Sequence, residues 1–135
     1  MRNTKERGKF SLFVYRERPN YYVGVCLEFD LIQEGKNAAE TLGRIRASSL
    51  AFLKTVRKKR YSDSLLNTPA PDEYWGRYYR FLKQRAALVR NIEERLGKAK
   101  QEKLMRWDDF INSAQTVQDV LYDPRSLKTK SMLNV

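Results

Sequence analysis

The chain has 135 residues, 41% of them hydrophobic, with 27 Lys+Arg against 16 Asp+Glu and no histidine. That length and apolar content suit one domain, or a small domain with an appendage, and exclude disorder throughout. The missing histidine excludes His-based acid–base catalysis and His metal ligation.

Cys26 is the single cysteine, so no internal disulfide can form, which leads us to expect a reducing, cytoplasmic setting. No apolar stretch approaches the ~18 residues that would span a bilayer. No signal peptide is visible either, so no membrane partner is expected. The charge is uneven: residues 1–60 hold 14 Lys+Arg and 6 Asp+Glu, a balance of +8, out of +11 for the whole chain. A field of that sign attracts DNA or RNA, although it also serves solubility.

Residues 1–8 are polar and read as a frayed arm. Residues 9–17 alternate, with Phe10, Leu12 and Val14 on one face and Ser11, Phe13 and Tyr15 on the other, as in a strand covered on one side and partly on the second. Arg18-Pro19-Asn20 signals a turn. Residues 21–31 form the cleanest strand, with Val23, Val25, Leu27, Phe29 and Leu31 as its core face and Tyr22, Gly24, Cys26, Glu28 and Asp30 opposite. A short strand follows around Leu31–Glu34 and ends at Gly35.

Asn37 is a good N-cap, and Glu40 three residues on completes a capping-box pattern. The helix it opens carries Leu42, Ile45, Ser49, Phe52 and Val56 at helical spacing, which should face the sheet. Gly43 weakens it by about 1 kcal/mol relative to Ala. Two prolines make 63–71 a linker or an edge strand. A second helix is expected from Asp72, with Trp75, Tyr79, Leu82, Ala86, Val89 and Leu96 as its stripe and Gly97 ending it. A third is expected over 99–122, on Leu104, Trp107, Ile111, Ala114, Val117 and Leu121. The division is therefore a domain over 1–62, a linker over 63–71, a helical hairpin over 72–122 and a tail over 123–135, with Met132, Leu133 and Val135 able to dock. The fold class is α+β: a small antiparallel sheet of three to four strands, one helix across it, then helices.

The run Tyr22-Val23-Gly24-Val25-Cys26-Leu27-Glu28-Phe29-Asp30, then Gln33-Glu34-Gly35, then Asn37 and Glu40, with Leu42, Ile45, Phe52 and Leu53 behind them, resembles the HicB-like domain of toxin–antitoxin antitoxins. The resemblance covers residues 9 to about 57. It implies a partial RNase-H-like fold without the catalytic carboxylates, no cofactor, and a HicA-type RNA-targeting toxin as partner, with DNA often bound through a second part.

Four groups of residues carry competing readings. Arg57, Lys58, Lys59, Arg60 and Tyr61 suit phosphate contact and base stacking, but cations also stabilise a helix C-terminus. Tyr74, Trp75 and Tyr78 exceed what one helix face needs. They suit an interface, in a homo-oligomer or with the toxin, or plain packing of the hairpin on the sheet. Glu28 and Asp30, two apart on one strand, suit a Mg²⁺ site, a solvated strand end, or salt bridges with Arg16 or Arg44; the expectation is no metal and no enzyme. Cys26 suits a packed sheet face beside Gly24 better than a nucleophile.

Overall fold

In the computed structural model the described residues are 2–111 and 115–124, with side chains described outside 92, 93 and 95–111. Three antiparallel strands come first: β1 (Gly8–Arg18), β2 (Tyr21–Cys26) and β3 (Leu31–Gly35). The helix α1 (Ala38–Lys58) follows, then a 3-10 turn (Asp63–Asn67), the helix α2 (Asp72–Ile111) and β4 (Gln115–Tyr122). The sheet order is β3-β2-β1-β4, with β4 antiparallel to β1 from Gly8↔Tyr122 to Tyr15↔Gln115. The class is α+β, as the sequence implies. Among the described residues no helix is long and apolar enough to cross a membrane.

The β1–β2 reversal rests on Pro19-Asn20, with Asn20 at φ 62, a left-handed conformation that asparagine tolerates. β2 stops at Cys26, earlier than the strand expected to run to Leu31. Residues 27–30 turn instead, with Asp30 at φ 56 and its N–H donating to the Cys26 carbonyl. Where β2 leaves, the Ser11 N–H on β1 loses its ladder partner. Glu28 replaces it: Oε1 accepts from the Ser11 N–H (2.7 Å) and Oε2 from the Ser11 hydroxyl (3.2 Å).

Both faces of the sheet are buried. On one, Phe10, Leu12, Val14 and Cys26 pack with Phe29 and with Ile45, Leu53 and Val56 of α1. On the other, Phe13, Tyr15, Val23, Val25 and Leu27 pack with Tyr78 and Phe81 of α2. This corrects which face of β2 lies under α1. The odd-numbered valines are core, but α2 covers them; α1 lies over Gly24 and Cys26. Gly24 makes that possible, since a Cβ there would sit 3.0 Å from Thr41 Cγ2 and 3.1 Å from Ile45 Cβ.

The capping box forms largely as expected. Asn37 Oδ1 accepts from the Glu40 N–H (2.8 Å), and Glu40 Oε2 accepts from the Lys36 N–H (2.9 Å). The face α1 buries is Thr41, Ile45, Ser49, Leu53 and Val56, with Leu42 and Phe52 at its margin.

Three further expectations need correction. Residues 2–7 are not a frayed arm: Asn3 is buried and bonds three partners. Its N–H donates to Asn67 Oδ1, its Nδ2 donates to the Leu66 carbonyl, and its Oδ1 accepts from the Lys9 N–H. The 63–71 segment is neither edge strand nor bare linker. Its 3-10 turn buries Leu66 completely, and the Ala70 N–H donates to the Leu27 carbonyl (2.8 Å).

The helical hairpin is also different. Helix continues through Gly97 to Ile111, and residues 115–122 are strand rather than helix. Straight, the stretch from Arg77 to Ile111 would span about 50 Å. Yet Arg77 lies 4.6 Å from the Tyr15 ring, and Tyr15 pairs with Gln115, four residues after Ile111. α2 is therefore not straight between Arg77 and Ile111. The expected stripe of Leu96, Leu104, Trp107, Ile111 and Ala114, and the docking of Met132, Leu133 and Val135, lie outside the described side chains.

Candidate nucleic-acid interface

The basic run ends α1, and its backbone is closed by a Schellman motif. The Tyr61 N–H donates to the Val56 carbonyl (3.0 Å) and the Arg60 N–H to the Arg57 carbonyl (3.3 Å). This requires a left-handed residue, and that residue is Arg60, at φ 54. Glycine adopts this conformation without the Cβ penalty. The sequence carries a cation there instead. Lys58, Lys59 and Arg60 are exposed.

Arg57 is half-buried, and its Nη1 has no hydrogen-bond partner among the described residues. It faces the region of Tyr122, whose phenol is pushed up to about 12 by burial, an effect that Arg57 opposes. The Tyr61 ring is 44% exposed, while both of its backbone polar groups are held: the N–H by Val56 and the carbonyl by Lys5 Nζ at 2.8 Å. An exposed tyrosine thus follows three solvent-facing cations, on a main chain that is held in place.

The N-terminal arm meets this corner. Lys5 Nζ also pairs with Asp63 Oδ1 (2.6 Å), and the Lys5 N–H donates to the same oxygen (3.2 Å). The hydrogen bond from Lys5 holds the Asp63 carboxyl below its usual range, and Arg2 adds to the effect. Tyr122 anchors the arm through a bond from its hydroxyl to the Thr4 carbonyl (2.7 Å). Sequence reasoning missed Arg2 and Lys5 as members of this site. Their contacts reach across some sixty residues, and no local pattern announces such a contact. The only available hint was the charge of residues 1–9.

Tyr74, Trp75 and Tyr78 divide. Tyr78 is core, edge-on to Phe13 at 5.9 Å. Tyr74 and Trp75 are half-buried against the same cluster. The aromatic of this group that remains open is Tyr79, 59% exposed, its ring tilted against that of Trp75 at 5.8 Å.

The Glu28–Asp30 pair does not share a strand face, because both lie in the turn after β2. Glu28 is committed to Ser11, and burial pushes its carboxyl up. Arg44, a suggested partner, donates instead to Glu40 Oε1 and to the Glu34 carbonyl, both at 2.9 Å. Cys26 is fully buried, and burial pushes its thiol up to about 12. A thiol so disposed is a packing group.

Comparison with family models, with curated proteins and with solved structures gives no match for this chain.

Proposed function

We propose that this chain is a non-catalytic, HicB-like antitoxin-type protein, which binds and neutralises a small RNA-targeting toxin of the HicA type. The observation that carries this reading is the order and packing of residues 8–58: three antiparallel strands running into a capped helix laid on the sheet. That is the arrangement the HicB-like resemblance implies.

The non-catalytic part is supported by where the reactive groups are spent. Glu28 is held by Ser11, Glu34 Oε1 accepts from the Tyr21 hydroxyl (2.6 Å), and the Cys26 thiol is sealed in the core. The test is affinity capture of the chain from its native cell, with and without nuclease. A small protein retained after nuclease, whose RNA cleavage is suppressed by adding the chain, is the expected result. Capture of nucleic acid alone would refute the reading.

A second reading is favoured by one specific observation, the exposed cations and exposed tyrosine at the end of α1. In it the chain is a stand-alone, basic nucleic-acid-binding protein reusing the same fold. The same capture discriminates: under this reading the bound material disappears with nuclease.

A further inference from the structure

We infer that the docked N-terminal arm and the end of α1 form one composite site for single-stranded nucleic acid, with Arg2, Lys58, Lys59 and Arg60 on the phosphates and Tyr61 stacking on a base. The inference rests on the nucleic-acid reading of the α1 terminus. It deepens that reading by naming the strandedness of the ligand and a second segment of the site.

Three observations converge. The arm is built into the fold rather than trailing from it, since Asn3 is buried and bonded to Leu66 and Asn67. Arg2 is exposed at the start of that arm, next to Asn3, whose bonds to Leu66 and Asn67 set this end of the chain against the turn that follows α1. Lys5 neutralises Asp63 and fixes the Tyr61 carbonyl, so it is a positioning residue. It pairs the Asp63 carboxylate, so that charge does not oppose the cations of α1 and Arg2.

The chemistry of the corner selects the ligand. Phosphates alone would be served by the cations, and a duplex presents its bases stacked on one another. An exposed tyrosine directly after three exposed cations is suited to a base that is free to stack, as in a single strand. Arg60 at a left-handed position points the same way. A residue less suited than glycine to that conformation stands there, and it adds a cation next to Tyr61 in the chain.

The test uses the full chain and fluorescently labelled oligouridylate and oligothymidylate of roughly 16 nucleotides, with a duplex of equal length, in anisotropy titrations across salt. Salt-sensitive binding of the single strands is expected, and the tighter of the two homopolymers tells RNA from DNA. The double variant Lys58→Ala/Lys59→Ala should weaken binding and flatten the salt slope by about 1.4, and Arg2→Ala should flatten it by about 0.7. Tyr61→Ala should lower single-strand affinity at least about fivefold and leave duplex binding unchanged, while Tyr61→Phe retains affinity. These side chains are exposed, so unchanged melting curves check the fold of each variant.

If Arg2→Ala is silent while the lysine variant weakens binding, the composite site is refuted and the α1 reading stands. Duplex bound as tightly as single strand, with Tyr61→Ala silent, refutes the single-strand assignment. No salt-sensitive binding at all refutes both.

Discussion

The two faces of the sheet are buried by opposite means. Over β2, α1 comes close because Gly24 and Gly35 leave room for Thr41 and Ile45, and the buried residues of α1 recur at intervals of three and four. On the other face α2 stands on a layer of rings: Phe13 contacts Tyr78 at 5.9 Å and Phe81 at 6.0 Å, and lies 5.6 Å from Tyr15. One face is intolerant of added volume and the other depends on volume already present. A packed interior is sensitive in both directions, but the limiting substitution differs from face to face.

This contrast can be broken by substitution and denaturant titration. The largest effect belongs to the ring layer: Phe13→Ala should cost about 3–5 kcal/mol, read as a drop in the urea midpoint. A loss below about 1 kcal/mol, too small for a buried aromatic, would mean that α2 does not cover this face. Next comes Gly35→Ala, whose Cβ would overlap Thr41 Oγ1 and lie 3.1 Å from the Thr41 backbone N. It should cost about 1–3 kcal/mol, as overpacking does. Gly43→Ala, where the new methyl meets nothing within 4 Å, should instead stabilise α1 by about 0.5–1 kcal/mol. A matching loss at both glycines would contradict the close approach of α1.

Glu28 sits between the two regimes, tying the Ser11 N–H where β2 turns away. Glu28→Ala should cost about 1 kcal/mol by orphaning that donor, and Glu28→Gln should cost less because it keeps an acceptor. A gain of the same size as at Gly43 is expected at the helix end: Arg60→Gly should stabilise by about 0.5–1 kcal/mol by relieving the left-handed arginine. In the same variant the proposed nucleic-acid affinity should fall.

Acid separates two carboxyls of opposite sign. Burial raises the Glu28 pKa, so the folded state favours its protonated form. That contribution is present below the ordinary glutamate range and is lost as pH rises through the elevated folded value. Asp63 is lowered, chiefly by its hydrogen bond from Lys5. Its contribution is present above the ordinary aspartate range and is lost as pH falls through the depressed value. Melting temperature against pH should therefore fall less steeply at the acid end in Asp63→Asn than in the wild type. An unchanged acid limb would mean that the Lys5–Asp63 contact does not hold the arm.

The sequence made the α1 half of this picture readable and the α2 half much less so. The Asn37 cap, the glycine before it and the helical spacing from Ile45 to Val56 are local signals, and local signals survive folding. Which face of β2 that helix would cover is not local. Alternation shows two faces but not which helix meets each, and Gly24 became informative only with Thr41 and Ile45 against it. Residues 115–122 carry apolar spacing that also fits a helix, and only pairing with β1 makes them a strand. In the site, Lys58, Lys59, Arg60 and Tyr61 stand out as a run. Arg2 and Lys5 do not, because Asn3, Leu66 and Asn67 bring the arm there through bonds that join the start of the chain to the turn after α1.

Amide hydrogen exchange of the full chain, alone and saturated with oligouridylate, tests most directly where a partner settles. Slower exchange in residues 2–7 and 57–61 together, with the exposed surface around Tyr79 unchanged, is the predicted result. Protection confined to α2, or none at either segment, would contradict it.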